Sequence, residues 1–218
     1  MKPKTKKQSL RQLGFTLLET MITMVILLVI SAMAIPSYTT IRRYFRLSGD
    51  GRELNALVAG AKMQAAADFT HARAYADLGA NTFHTEVWNK TVPCWQTVGD
   101  FANACTVAGV SPVQSLSQGV SFGFGGFGAP PPNTTAGIQQ APACRNNAGG
   151  AIPGTACVVF NSRGIPIDAA GSPTGNGALY VTDNATVYGV TVGASGLVQT
   201  WSVNLSSSGP SGTTWNHR

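Results

Sequence analysis

Chemistry in this chain has few places to reside. Nine acids and three histidines are spread over 218 residues. One of the acids, Glu19, stands inside Phe15–Ile35, an almost wholly apolar run with no other charge. At about 1.5 Å rise per residue, a helix of that length reaches ~30 Å, the thickness of a hydrocarbon core. A carboxylate near the centre of such a span costs ~2.5–3.5 kcal/mol even on lenient insertion scales. Glu19 therefore either does something there or, lying only a few residues in, snorkels to the membrane face.

The other reactive types form no catalytic pattern. Cys94, Cys105, Cys144 and Cys157 all lie beyond the apolar run, and an even number past a membrane segment favours disulfides. Of the three pairings, Cys94–Cys105 with Cys144–Cys157 is expected, because each bridge would staple a Gly/Pro/Asn-rich loop and be worth ~3 kcal/mol. Free thiols are the alternative. No cysteine pair has C-x₂-C spacing, and His71, His84 and His217 are scattered, so no metal is expected. "GFGGFG", Gly123–Gly128, matches G-x-G-x-x-G in letters only. The "APPP" directly after it cannot open the helix a dinucleotide would need. There is no G-x-S-x-G, H-E-x-x-H or P-loop, and no cofactor or enzymatic activity is expected.

The formal charge of +6 is a local feature. Lys2, Lys4, Lys6, Lys7 and Arg11 precede residue 14, which leaves ten Lys/Arg against nine Asp/Glu in the rest of the chain. A short basic segment ahead of an apolar run stays cytoplasmic and sends the remainder of the chain outward. An ordinary secretory signal is the competing reading; the run is long for an h-region, and Ser31, Ala32 and Ala34 lead directly into Pro36.

These residues carry a resemblance. "GFTLLE", Gly14–Glu19, between a basic leader and an apolar run, resembles the class III signal of type IV pilins and type II secretion pseudopilins. The resemblance implies that a prepilin peptidase cuts after Gly14 and methylates Phe15. Glu19 then becomes the fifth mature residue and Pro36 the twenty-second, both in the family's pattern. It also implies partners: other pilins or pseudopilins and an inner-membrane assembly platform. In such filaments the carboxylate of an incoming subunit faces the N-terminal amine of its neighbour, a register check within a dry helix bundle. Pro36 is expected to kink the helix by removing a backbone hydrogen bond.

Positioning these residues falls to a long helix and a β-rich region. Beyond Pro36, Arg42, Arg43 and Arg46 form either a solvated helix face or a basic membrane-surface stripe. "SGDG", Ser48–Gly51, predicts a break. Leu54, Leu57, Val58, Ala61 and Ala65 then form a helical stripe suited to packing on a sheet, and the helix is expected to end between Arg73 and Gly79. "ACVVFNSRGIPI", "GALYVTD", "ATVYGVTVGASG" and "LVQTWSVNL" read as strands, with a hairpin turning at Ala194–Gly196. Residues 83–156 read as a Gly/Pro-rich insertion, "GAPPPNTT" as an exposed polyproline-like loop, and "WNHR" as a frayed tail.

Cys157–Trp201 resembles the C-terminal part of the GspH/FimT minor pilins and pseudopilins, in which V-F-N-x-R-G precedes the last hairpin; Val159–Gly164 fit it. Some FimT-type members bind DNA through basic residues of that hairpin. Here Leu197, Val198 and Gln199 stand in those places, so nucleic acid is disfavoured as a partner.

The expected architecture is α+β: a long N-terminal membrane-spanning helix packed on an antiparallel β-rich domain. Its parts would be a cleaved leader (1–14), a transmembrane or filament-core helix (15–36), an amphipathic continuation (37–78) and a periplasmic or surface domain (79–218). The expected role is that of a non-catalytic minor pilin or pseudopilin that enters, primes or tips a type IV pilus or secretion pseudopilus. It would sit single-pass in the inner membrane before assembly. DNA uptake and tip adhesion are the alternatives.

Overall fold

The computed structural model describes residues 16–99, 105, 113–132, 134, 137–204 and 215–218; of residues 34–37, 39 and 40 it gives the backbone alone. The chain divides into two compact units, Met1–Arg42 and Arg43–Arg218. Helix α1, Leu17–Ala67, is continuous through Pro36. The expected span Phe15–Ile35 is described only in part. Among the described residues no helix is long and apolar enough to cross a membrane.

In the second unit the stripe of α1 is buried as its spacing requires: Leu54, Val58, Ala61 and Ala65 are fully covered, and Leu47 and Leu57 nearly so. The break expected at Ser48–Gly51 does not occur. Those residues are packing and docking positions instead. Asp50 accepts hydrogen bonds from the Ser117 hydroxyl (2.8 Å) and amide (3.0 Å), tying a distant loop to the helix. Gly51 leaves room for the Tyr188 ring, since a Cβ there would lie 2.3 Å from Tyr188 Cδ1.

The helix ends at Ala67, earlier than the expected Arg73–Gly79. Phe69 takes a left-handed φ of 49°, and two bonds close the end: Phe69 N–H to Ala66 O and Thr70 N–H to Ala65 O, the Schellman arrangement. The next element is a strand. Ala72, Ala74 and Ala76 point alternately into the core from β1, Ala72–Asp77. Alanine favours helix in isolation, but strand pairing on both sides overrides that preference.

Among the described residues all strand pairs are antiparallel. The first sheet has the order β3-β2-β1-β6-β7, with β4 also on β2; its strands are β2 (Thr82–Asn89), β3 (Cys94–Thr97), β4 (Gln114–Ser115), β6 (Thr155–Phe160) and β7 (Pro166–Ile167). The second has the order β11-β10-β9-β8-β5, formed by β5 (Ser121–Phe122), β8 (Gly177–Thr182), β9 (Thr186–Val192), β10 (Val198–Asn204) and β11 (Asn216–His217). Strands β6 and β8–β10 coincide closely with the sequence segments expected to form them. The segment read as an insertion starts inside β2, whose Phe83 is fully buried, so its first part belongs to the sheet.

The two faces of the second sheet have different covers. Leu179, Val181, Val190 and Val192 join the core under α1. Ala178, Tyr180, Val187, Trp201 and Val203 form a second cluster with Phe127 and Trp215. The Gly/Pro-rich loop is therefore not simply exposed, and Pro131 is fully buried. Nor is the tail frayed: Trp215 Nε1 donates to Ala129 O (3.1 Å), and β11 pairs with β10. Burial pushes the Tyr180 phenol up to about 12.

Disulfides join Cys94 to Cys105 and Cys144 to Cys157, with Cα separations of 5.7 and 4.9 Å.

The glycines of α1 make the packing testable. Gly60 has nothing within 4 Å of a built Cβ, whereas Gly51 faces Tyr188. Gly60→Ala should stabilise by ~0.5–1 kcal/mol through helix propensity. Gly51→Ala should destabilise by ~1–2 kcal/mol, because overpacking at ~1–3 kcal/mol exceeds that gain. Paired denaturant titrations of the two variants check the opposite signs.

Candidate functional site

The first unit presents a helix without an amphipathic face. Leu17, Leu18, Met21, Ile22, Met24–Ile30 and Met33 are all more than half exposed. A helix apolar all round needs cover from outside itself. Its start is capped by Thr16: the Glu19 amide donates to Thr16 O at 3.0 Å and to Thr16 Oγ1 at 3.3 Å. Thr16 and Glu19 have the T-x-x-E spacing of a capping box, which places the Glu19 carboxylate in the first turn, where the helix dipole favours an anion. Glu19 is exposed. Gly14 and Phe15 lie outside the described residues, as does the side chain of Pro36. Arg42 lies over the Tyr38 ring at 5.6 Å.

In the second unit the densest polar constellation is one that the sequence did not signal. Arg73 on β1 and Glu86 on β2 are cross-strand partners and form a buried ion pair through Arg73 Nε. Arg73 also donates to Arg145 O (2.5 Å) and lies 4.1 Å from the Trp95 ring centroid. His84 Nε2 is 3.2 Å from the other Glu86 oxygen, and its ring stacks on Tyr75 at 4.7 Å. Burial pushes the Glu86 carboxyl up, but the His84 hydrogen bond and the Arg73 charge together outweigh it and hold the group below its ordinary value. Burial lowers Arg73, against the pull of Glu86; a guanidinium remains charged regardless. Burial likewise raises Asp50, opposed by its Ser117 bonds. Only the period-two alternation of Arg73 and Tyr75 with buried alanines could have revealed the cluster, once β1 was read as strand.

The V-F-N-x-R-G segment forms the end of β6 and a tight turn. Asn161 Oδ1 accepts from the Arg163 and Ile165 amides (2.9 and 3.1 Å), and Gly164 supplies a φ of 71°. This turn and the Gly193–Leu197 turn line a shallow groove of about 400 Å³ with α1 residues Lys62 and Met63. Lys62 Nζ donates to Gly196 O at 2.9 Å. The fold thus brings Lys62 and Arg163 to the hairpin that carries Leu197, Val198 and Gln199, a proximity that the residues of the hairpin alone do not show.

Among known families, residues 9–35 match the prokaryotic N-terminal methylation motif. No curated protein and no solved structure matches the chain. The motif indicates a type IV pilin-like chain, a pilin-type subunit of type IV pilus and secretion systems. It implies processing by prepilin peptidase, assembly with other pilins, and membrane anchoring before entry into a pilus.

The Arg73–Glu86 pair should leave a pH signature. A lowered folded pKa gives stability that is complete above the ordinary value of 4.5 and lost as pH falls through the folded value. Glu86→Gln should cost ~3 kcal/mol at neutral pH by leaving Arg73 buried without a partner charge. It should also flatten the acid limb of the stability–pH curve; thermal melts from pH 7 to pH 2 read both effects.

Proposed function

We propose that this chain is a non-catalytic minor pilin or pseudopilin. Its N-terminal helix would cross the inner membrane before assembly and enter the core of a pilus or secretion pseudopilus afterwards, with the β-rich domain outside the membrane. The observation that carries this reading is the all-round exposure of apolar side chains from Leu17 to Met33, directly within the methylation motif. Bilayer and helix bundle are the two environments that cover such a surface. Glu19 suits both: near the end of the helix it can reach the membrane face, and in a bundle it can meet the methylated amine of a neighbour's Phe15. The GspH/FimT reading draws support from the V-F-N-x-R-G turn, which joins β6 to β7 in the first sheet and precedes in sequence the β9–β10 hairpin of the second.

The role of Glu19 is testable in cells. Glu19→Ala should be processed and inserted as well as the parent chain, because losing a charge only eases insertion. Its incorporation into filaments should fall at least about tenfold, since mispairing a buried charge costs ~3–5 kcal/mol. Quantifying the variant in sheared filaments and in membranes separates the two steps. Normal incorporation would contradict the pairing.

A further inference from the structure

Between α1 and the second sheet lies a polar cleft. Its volume is about 340 Å³, and it adjoins a smaller recess of about 130 Å³ with which it shares Tyr44, Ser48, Tyr188 and Arg218. The cleft alone is within the range of small-ligand sites. Tyr44, Ser48, Arg52 and Asn55 come from successive turns of one helix face. Tyr188 and Arg218 come from the sheet side, and Arg218 is held by Nε donation to Ser202 Oγ at 2.9 Å.

The chemistry of this lining is lopsided. Arg52 and Arg218 line the cleft, and among the described residues no Asp or Glu side chain does. Arg52 has no hydrogen bond or ion pair within the described residues, so its fork of donors is uncommitted. Tyr188 is nearly buried and rigidly seated against Gly51, whereas Tyr44 is about half exposed at the mouth. A small inorganic anion would use the guanidiniums and leave the aromatic and amide groups idle. A ligand that uses all of them needs a carboxylate for an arginine fork, hydroxyls for Ser48 and Asn55, and an apolar C–H face for a tyrosine ring.

We propose that this cleft binds a carboxylated sugar of the uronic acid type, with Arg52 gripping the carboxylate and the half-exposed Tyr44 ring lying against the pyranose. The site requires no filament, so it stands or falls separately from the assembly role.

The test uses the full chain, kept in solution by a polyoxyethylene detergent that carries no sugar. Titrations with D-glucuronate, D-glucose and inorganic phosphate are followed by calorimetry or ligand-observed NMR. Glucuronate should bind at least about tenfold more tightly than glucose or phosphate. Arg52→Gln should weaken glucuronate by at least about tenfold, with an unchanged circular dichroism spectrum, and Asn55→Ala should weaken it less. Absence of glucuronate binding at millimolar concentrations would overturn the proposal, as would binding unaffected by Arg52→Gln. Phosphate binding as tight as glucuronate would also overturn it, by showing an anion site that ignores the ring.

Discussion

An apolar helix left uncovered by the described residues sets the terms for the rest of this molecule. Twelve large apolar side chains between Leu17 and Met33 are more than half exposed. At ~1.5–3 kcal/mol for each such side chain fully buried, covering only the exposed part, somewhat over half of each, is worth on the order of 10–20 kcal/mol. That exceeds several-fold the ~2.5–3.5 kcal/mol cost of carrying Glu19 into a bilayer. One carboxylate is therefore tolerable in this helix, and its cost can be turned to specificity: the same charge penalises any register that leaves it unpaired.

The globular unit uses the same helix by a different rule. Past Arg43 the apolar residues of α1 narrow to a stripe, and the sheets supply the cover that the first half lacks. Small residues set the distances of approach. Three alanines on β1 line the core beneath the helix, and Gly51 admits the Tyr188 ring. The second sheet is then closed on its far face by an aromatic cluster from the Gly/Pro-rich loop and the chain's last residues. Two disulfides and the Arg73 hydrogen bond to Arg145 O tie the long loops to the sheet.

Much of this was legible in the sequence, and the reasons differ by segment. The stripe from Leu54 to Ala65 carries helical periodicity, and β6 and β8–β10 are β-branched or aromatic runs between Gly, Pro and Asn, so their type and place could be read directly. Ser48–Gly51 misled because glycine and a buried acid look like a break until Tyr188 and Ser117 are known to occupy the space. β1 was hidden by its alanines, which favour helix until strands pair on both sides. "APPP" and "WNHR" looked exposed because their partners, Tyr180 and Trp201, lie far away in sequence. Of the candidate site, the motif around Gly14, Phe15 and Glu19 was readable because its residues are contiguous. The Arg73 cluster and the Arg52 cleft were not, because each is assembled across distant elements.

The most direct test is the state of the N-terminus. Membranes and sheared filaments from cells making the chain would be separated and their N-terminal peptides analysed by mass spectrometry. A mature chain beginning at N-methylated Phe15, in either fraction, is the expected result; its presence in filaments at a small fraction of the major subunit would favour a minor pilin over a pseudopilin. A membrane-bound chain that retains residues 1–14, or one cut beyond Ser31, would contradict the pilin-type reading at its root.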